Sequence, residues 1–178
     1  MKIDVIVLNG GSSSGKTSIG RCLQALLPGS WLLLGVDNLI EALPTEHEGG
    51  KSPIVFESTG RVTVGPEFRG FEAAWYQGVA AMARAGVGVI VDEVFLGGGT
   101  SQARLSSWLV DLSVAWVGVH CDSSVAAKRE AQRPERVVGM AKSQADIVHA
   151  GVRYDLQVDT TSNSALDCAR RVAEYVVR

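Results

Sequence analysis

The sequence predicts an α/β fold in which one parallel β-sheet is covered by helices on both faces, giving three layers. Strand-like runs alternate with helical patterns along the 178 residues, and this alternation is typical of parallel sheets joined by crossover helices. The strand-like runs are short and almost wholly apolar, as expected of strands buried on both faces. The length suits one compact domain, and we expect residues 1–178 to form it.

Five strands are predicted from apolar, β-rich runs. The first is apolar apart from Asp4, and the third ends in the acidic pair Asp92-Glu93. The predicted strands are residues 3–8, 31–36, 87–91, 114–119 and 156–158.

About seven helices are predicted around these strands. Pro66 stands at the favoured first-turn position of the third helix, in which Phe68, Phe71, Trp75 and Val79 form one apolar stripe. The predicted helices are residues 16–27, 37–43, 66–85, 101–112, 122–133, 141–150 and 165–177.

Residues 45–66 differ in character and predict an insertion. Apolar runs at 54–57 and 61–64 flank Ser58-Thr59-Gly60, which predicts a small β-hairpin. We interpret the segment as part of the same domain.

Composition excludes several classes of protein. With 17 basic and 19 acidic residues, the formal net charge of −2 does not favour a nucleic-acid-binding surface. No apolar run approaches the ~20 residues of a membrane helix, and the N-terminus lacks the apolar core of a signal peptide. The three cysteines are far apart and lack metal-ligand spacing. Together these features predict a cytoplasmic protein with reduced cysteines and no nucleic-acid or membrane partner.

A complete phosphate-loop pattern follows the first strand: Gly10-Gly11-Ser12-Ser13-Ser14-Gly15-Lys16-Thr17 matches G-x-x-x-x-G-K-[ST]. Glycines let successive backbone N–H groups turn toward an anion, and the N-terminus of the following helix adds a favourable dipole. We expect Lys16 to reach the β- and γ-phosphates and Thr17 to hold Mg²⁺. The pattern predicts a site for a nucleoside triphosphate.

Asp37 comes directly after the second predicted strand, at the sheet edge where ligands of parallel α/β folds bind. A carboxylate at this edge can accept the proton of an acceptor hydroxyl during phosphoryl transfer. The alternative is an N-cap of a helix that starts at Asn38. Both roles are compatible with the sequence, and we favour the catalytic one.

Asp92 ends the third predicted strand, and an apolar strand with a terminal Asp is the Walker-B pattern. Its carboxylate is therefore a candidate Mg²⁺ ligand together with Thr17. Glu93 is adjacent and is an alternative for the same role or for orienting a water molecule.

Arg133 and Arg136 flank Pro134-Glu135 after the fifth predicted helix. Guanidinium groups stabilise the charge that spreads over a transferring phosphoryl group, so both are candidate catalytic residues. By contrast, Lys128, Arg129 and Glu130 look like ordinary helix surface.

The sequence also narrows the acceptor of the phosphoryl group. The guanine-reading N/T-K-x-D element of GTP-binding switches is absent, because the fourth strand continues as Val119-His120-Cys121-Asp122. Ile40 stands where nucleoside-monophosphate kinases usually have an arginine for the acceptor phosphate. We therefore expect an uncharged or weakly charged acceptor with a hydroxyl group, bound near the apolar hairpin and the helix that follows it.

Seven segments of the chain carry a more specific pattern. They are LNGGSS at 8–13, GVD at 35–37, GPEFR at 65–69, MARAG at 82–86, VFLGG at 94–98, WVGV at 116–119 and VDTT at 158–161. On these segments the chain resembles the chloramphenicol phosphotransferase of actinomycete antibiotic producers over essentially its whole length.

The resemblance implies a P-loop kinase fold similar to shikimate and adenylate kinases, with sheet order 2-3-1-4-5 and a lid-like segment at about 130–150. It implies transfer of the ATP γ-phosphoryl group to the primary hydroxyl of chloramphenicol, which inactivates the antibiotic. Residues 10–17 would bind ATP, Asp37 would be the general base, and Arg133 and Arg136 would be lid arginines. Lys16 belongs to the same catalytic set.

Alternatives remain at this stage for the acceptor and for the class of function. The chain departs from the family pattern mainly at 45–58 and 98–107, so a related ribosome-directed antibiotic or another small hydroxylated metabolite is an alternative acceptor. An ATPase or ATP-binding regulatory module is an alternative of a different class. The sequence also leaves open whether the protein forms a homo-oligomer.

Overall fold

The structure is a computed structural model that describes residues 2–44, 52–57, 59–133 and 139–177. Its central sheet is parallel and five-stranded, with the order β2-β5-β1-β6-β7. When the two hairpin strands β3 and β4 are left out of the numbering, this order is the predicted 2-3-1-4-5. The sheet strands are β1 (Val5–Asn9), β2 (Trp31–Gly35), β5 (Gly88–Glu93), β6 (Val114–His120) and β7 (Leu156–Asp159).

Helices cover both faces of the sheet. On one face, α1 and α7 pack on Ile6, Leu8 and Ile90; on the other, α3 and α4 pack on Val5, Val7 and their neighbours. This alternation follows from the pleat of a strand, which sends successive side chains to opposite faces. The helices are α1 (Lys16–Leu26), α2 (Val36–Glu41), α3 (Pro66–Arg84), α4 (Gly99–Trp108), α5 (Ser123–Glu130), α6 (Met140–Gln144) and α7 (Ala165–Val176).

The predicted hairpin is present, with β3 (Ile54–Phe56) antiparallel to β4 (Val62–Val64). Residues 45–51 and 58 of the predicted insertion lie outside the described residues. The hairpin contacts α6, where the Ser143 hydroxyl donates to the carbonyl oxygen of Gly60 at 3.1 Å. It therefore lies against the part of the chain in which the sequence predicts a lid.

The predicted helix at 141–150 is wrong in one respect, because the segment divides into α6 and a separate 3-10 turn, Ile147–His149. The end of the 3-10 turn at His149 has a physical reason. The carbonyl oxygen of Val148 accepts from the Asn9 side chain, and that of Ala150 accepts from the backbone N–H of Gly99. Carbonyl groups bonded to other parts of the chain do not continue a helix.

Among the described residues, no helix combines the length and the apolar character needed to cross a bilayer.

Candidate active site

The phosphate-loop residues lie where β1 passes into α1. Ser13 and Gly15 have positive φ values of 57° and 94°, a conformation that glycine adopts readily and other residues rarely. At Gly10 a side chain has no room, because a Cβ atom there would collide with the carbonyl oxygen of Val119. The two glycines thus let the loop turn sharply while its backbone stays packed against β6.

This loop fits a bound phosphate group. The hydroxyl oxygens of Ser12, Ser13 and Ser14 are buried and have no hydrogen-bond partner among the described residues. Helix α1 begins at Lys16 with no side-chain cap and no acidic residue in its first turn. The partial positive charge of the helix N-terminus is therefore not offset by a capping side chain, and an anion is favoured there.

Lys16, Thr17 and Asp92 meet in the cleft beside this loop. The Lys16 Nζ donates to the carbonyl oxygen of Gly11 at 2.9 Å and lies 3.7 Å from Asp92 Oδ1. The Thr17 hydroxyl donates to Asp92 Oδ2 at 2.6 Å. The contact forms because β5, which ends near Asp92, pairs directly with β1. The structure thus brings together the two residues that the sequence predicts as metal ligands, and their oxygen atoms are of the type that Mg²⁺ prefers.

Glu93 faces the other side of the sheet from Asp92. Asp92 lines the phosphate cleft, whereas Glu93 lines an apolar cavity between the sheet and α3. Glu93 is 6% exposed, and burial raises the pKa of its carboxyl group to about 8. The pleat of β5 therefore separates the two carboxylates, and only Asp92 contacts Thr17.

Asp37 is exposed on the phosphate cleft, which Lys16, Thr17 and Asp92 also line. It lies in the first turn of α2, whose N-cap is Gly35; the Asn38 Oδ1 accepts from the Gly35 N–H at 3.0 Å. The interpretation of Asp37 as the N-cap of a helix beginning at Asn38 is therefore wrong. Asp37 is instead the second residue of a helix that already has Gly35 as its N-cap.

Arg133 is exposed beyond the end of α5 and lines the phosphate cleft. It also lines an adjoining cleft that Thr160 and Asn163 border. Arg136, the other predicted lid arginine, lies outside the described residues. The structure thus brings one of the two arginines to the cleft.

The interpretation of Arg129 and Glu130 as ordinary helix surface is wrong. Arg129 donates to the carbonyl oxygen of Thr160 at 2.7 Å and to its hydroxyl oxygen at 3.1 Å. Glu130 is 4% exposed, and its two oxygens accept from the backbone N–H groups of Gly139 and Ala141 at 2.7 and 2.8 Å. Both residues fasten α5 to parts of the chain next to the phosphate loop, which periodicity alone does not reveal.

We expect Glu130→Gln to lower the free energy of unfolding by about 1–3 kcal/mol, because one carboxylate oxygen is replaced by an amide NH₂ that opposes a backbone N–H. Urea denaturation followed by circular dichroism measures the effect. The same substitution at the exposed Glu174 is the control and should change stability by no more than about 0.5 kcal/mol. Equal stability of the two variants would contradict a fastening role for Glu130.

Two further polar residues support the loop and escaped prediction from sequence. The Gln144 Oε1 accepts from the Ser12 backbone N–H at 2.8 Å, across 132 residues of chain. Asn9 accepts from the Phe95 N–H at 2.9 Å and donates to the carbonyl oxygen of Val148 at 2.8 Å. A buried polar residue at the end of an apolar strand is a signal that could have singled out Asn9.

An apolar cavity adjoins the phosphate cleft. Its walls come from the hairpin, α3, α4 and the chain after β5, including Ile54, Phe56, Phe68, Phe95 and Trp108. Four residues line both the cavity and the cleft: Val36, Val94, Met140 and Gln144. The hairpin and Phe68 thus form a surface of the kind expected for the acceptor, whereas Phe71 packs beside it in the core.

A five-stranded parallel sheet with a phosphate loop after β1 and an aspartate at the end of β5 defines the class of protein: the chain is a P-loop kinase. It matches the chloramphenicol phosphotransferase-like protein family over residues 3–177. The chain belongs to this family, and it is an ATP-dependent kinase with a small-molecule substrate. The resemblance seen in the sequence is confirmed.

Relatives and solved structures agree with this assignment. A protein of Mycobacterium tuberculosis strain H37Rv with a proposed O-phosphotransferase activity is 31% identical, in an alignment covering 96% of this chain and 80% of the relative. The tunicamycin resistance protein of Deinococcus radiodurans has a TM-score of 0.70 at 20% identity, covering 99% and 95% of the two chains. Shikimate kinase from Acinetobacter baumannii has a TM-score of 0.59 at 19% identity, covering 98% and 93%. The two structures show the same fold.

Proposed function

We propose that this kinase transfers the γ-phosphoryl group of ATP to a hydroxyl group of chloramphenicol or a related ribosome-targeting antibiotic, and so confers resistance by inactivation. The observation that carries the proposal is the continuity of the phosphate cleft with the apolar cavity through Val36, Val94, Met140 and Gln144. Asp37 follows Val36 directly and lines the cleft side of this junction. A hydroxyl on an apolar molecule in the cavity would therefore enter the cleft next to a carboxylate.

Asp37 acts in this proposal as the general base. The acceptor hydroxyl gives its proton to the Asp37 carboxylate while its oxygen forms a bond to the γ-phosphorus. The bond between that phosphorus and the β–γ bridging oxygen breaks, and ADP leaves with the electron pair. An exposed carboxylate beside the phosphate loop suits this task, because Asp37 lines the phosphate cleft and the N-cap of α2 is Gly35.

Residues 10–17 bind the phosphates of ATP in this proposal. Lys16 balances negative charge on the β- and γ-phosphates, and the unpartnered hydroxyl groups of Ser12, Ser13 and Ser14 are available as further donors. Thr17 and Asp92 would hold Mg²⁺, which neutralises charge on the nucleotide when bound. Their contact at 2.6 Å supports a shared role.

Arg133 and Arg136 are proposed to stabilise charge on the transferring group from a lid-like segment at about 130–150. The support is the position of Arg133 at the mouth of the phosphate cleft, at the start of that segment. Residues 1–178 would then be one kinase domain, with the insertion at 45–66 as part of the acceptor site.

The cavity supports an apolar acceptor. Its enclosed space is about 80 Å³, and it opens toward the phosphate cleft through the residues that the two share. Aromatic and aliphatic side chains dominate its walls, and its two arginines are engaged by Glu72 at 2.9 and 3.0 Å. Because both guanidinium groups already pair with Glu72, the cavity favours an acceptor without a phosphate group.

The test is incubation with Mg-ATP and a panel of hydroxylated antibiotics that includes chloramphenicol. We expect acceptor-dependent ADP release and a product heavier by about 80 Da, the mass of one added PO₃H group. ADP release at the same rate with and without every acceptor would contradict the proposal and favour an ATPase or regulatory module.

A further inference from the structure

Two buried polar atoms in the wall of the apolar cavity have no hydrogen-bond partner. They are the Glu93 Oε1 and the Tyr76 hydroxyl oxygen, and no partner occurs among the described residues. Glu93 is 6% exposed and Tyr76 is 2% exposed. Leaving a buried polar atom unpaired is destabilising, so such atoms are rare in folded proteins unless a ligand or water completes them.

The location of the unpaired atoms indicates what completes them. Six buried side-chain oxygen or nitrogen atoms lack a partner in the described part of the chain. Three belong to the serines of the phosphate loop, where an anion is expected, and two belong to Glu93 and Tyr76 in the cavity. The sixth is the Trp75 Nε1, and Trp75 lines neither the cleft nor the cavity. Unpaired atoms thus concentrate at the two places where a kinase binds its two substrates.

The surroundings hold both side chains in place without using these atoms. The Tyr76 ring stacks on Trp108 with centroids 5.7 Å apart and an interplanar angle of 13°. The other carboxyl oxygen of Glu93 accepts from the Val94 N–H at 3.1 Å. The rings and the strand end therefore fix the two groups, and each keeps one hydrogen-bonding position for another molecule.

The charges around the cavity favour an uncharged partner group. Arg69 and Arg104 both donate to Glu72, at 2.9 and 3.0 Å. Glu72 therefore has cationic partners, and the polar atoms of the cavity wall without a partner among the described residues are those of Glu93 and Tyr76. An amide N–H or a hydroxyl on an aromatic or aliphatic body complements one carboxyl oxygen, one phenol and the apolar walls.

We propose that Glu93 and Tyr76 are specificity-determining residues that bind a second, uncharged N–H or O–H group of the acceptor, distinct from the hydroxyl that is phosphorylated. The inference rests on the proposed function for the identity of the reaction. It adds a requirement on the acceptor: a polar group on an apolar body, placed to reach the α3 side of the cavity while the reacting hydroxyl reaches Asp37. An acceptor without that group leaves two buried polar atoms unpaired and is rejected.

The experiment compares chloramphenicol, which carries a secondary amide, with its N-methylated derivative. Binding is measured by quenching of tryptophan fluorescence, because Trp108 lines the cavity, and phosphorylation is measured separately with Mg-ATP. We expect the wild-type protein to bind chloramphenicol at least 10-fold more tightly than the N-methylated derivative. Tyr76→Phe and Glu93→Gln should each reduce this ratio to less than about 3-fold, with KM for ATP unchanged.

Two matched controls separate this role from a structural one. Tyr175→Phe and Glu174→Gln make the same changes at exposed positions of α7 and should leave the ratio at the wild-type value. Because the Tyr76 hydroxyl has no partner in the part of the chain that the structure describes, Tyr76→Phe should unfold at the same temperature as the wild type or higher. A clear loss of thermal stability in Tyr76→Phe would indicate a structural hydrogen bond and contradict the proposal.

The other outcomes of the binding and phosphorylation measurements also test the roles of Glu93 and Tyr76. Equal binding of the two compounds by the wild type, binding of neither, or an unchanged ratio in both variants overturns the roles of Glu93 and Tyr76. Selective binding that the variants lose, without transfer of phosphate to any compound, supports these roles and contradicts the proposed antibiotic kinase activity instead.

Discussion

Asp37→Asn is expected to lower kcat by about 10²- to 10⁴-fold while ATP affinity stays nearly unchanged. The amide has almost the shape of the carboxylate but does not take up the proton of the acceptor hydroxyl. Asp37 lines the phosphate cleft without capping α2, so the substitution removes a base and leaves the helix start intact. Steady-state kinetics with saturating acceptor, together with calorimetric titration of ADP, measure the two effects separately.

Glu41→Gln is the matched control for this prediction. Glu41 lies one turn further along α2, and its substitution removes the same charge from the same helix. We expect kcat to change by less than about 3-fold, because an exposed charge at that distance is screened by solvent. A similar loss in both variants would attribute the Asp37 effect to the general field of the cleft rather than to proton transfer.

Stability provides a further check on Asp37. An acidic side chain in the first turn of a helix contributes about 0.3–1 kcal/mol through the helix dipole. Asp37→Asn should therefore destabilise the protein by no more than this. A larger loss that accompanies weakened ATP binding would favour a structural role.

The parts of the fold that were predicted correctly are those whose signal is local in the sequence. Apolar runs of strand length, Pro66 at a helix start and the complete pattern at 10–17 each report on a few consecutive residues. The sheet order follows from the family resemblance together with these elements. The position of Asp92 at the cleft was also predictable, because a terminal aspartate after an apolar strand is a contiguous pattern.

The parts that were missed depend on contacts between distant segments. Gln144 reaches Ser12 across 132 residues, and Glu130 is buried because Gly139 and Ala141 fold back onto α5. A charged residue in a short helix looks exposed when only the helix period is considered. Its burial depends on a turn of the chain that no local pattern encodes.

At the end of β5, the adjacent residues Asp92 and Glu93 line two different sites. Successive residues of a strand point to opposite faces, so Asp92 lines the phosphate cleft and Glu93 lines the apolar cavity. The sequence left the two carboxylates as alternatives for one metal. In the structure the pleat gives them different surroundings. Asp92 contacts Thr17 and Lys16, whereas Glu93 lines the apolar cavity together with Tyr76.

Lys16→Met is expected to lower kcat/KM for ATP by about 10²- to 10³-fold and to weaken nucleotide binding, in contrast to Asp37→Asn. Methionine keeps most of the apolar length of the side chain, which matters because the Lys16 side chain is only 7% exposed. What is lost is the ammonium group that lies 2.9 Å from the Gly11 carbonyl oxygen and 3.7 Å from Asp92. Without it, the phosphates and the Asp92 carboxylate repel each other with no cation of the protein between them.

The measurement for Lys16 is the rise in unfolding temperature on addition of ADP, combined with steady-state kinetics. A ligand that binds only the folded state stabilises it by RT ln(1 + [L]/Kd), so weaker binding appears directly as a smaller rise. Lys128→Met, at an exposed position of α5, should retain the wild-type rise and the wild-type kcat/KM. If Lys16→Met retained both as well, the phosphate loop would bind nucleotide without its lysine, and the role assigned to Lys16 would be wrong. If ADP no longer raised the unfolding temperature of Lys16→Met but still raised that of Asp37→Asn, the two residues would have the separate roles proposed for them. Lys16 would bind the nucleotide, and Asp37 would accept the proton of the acceptor.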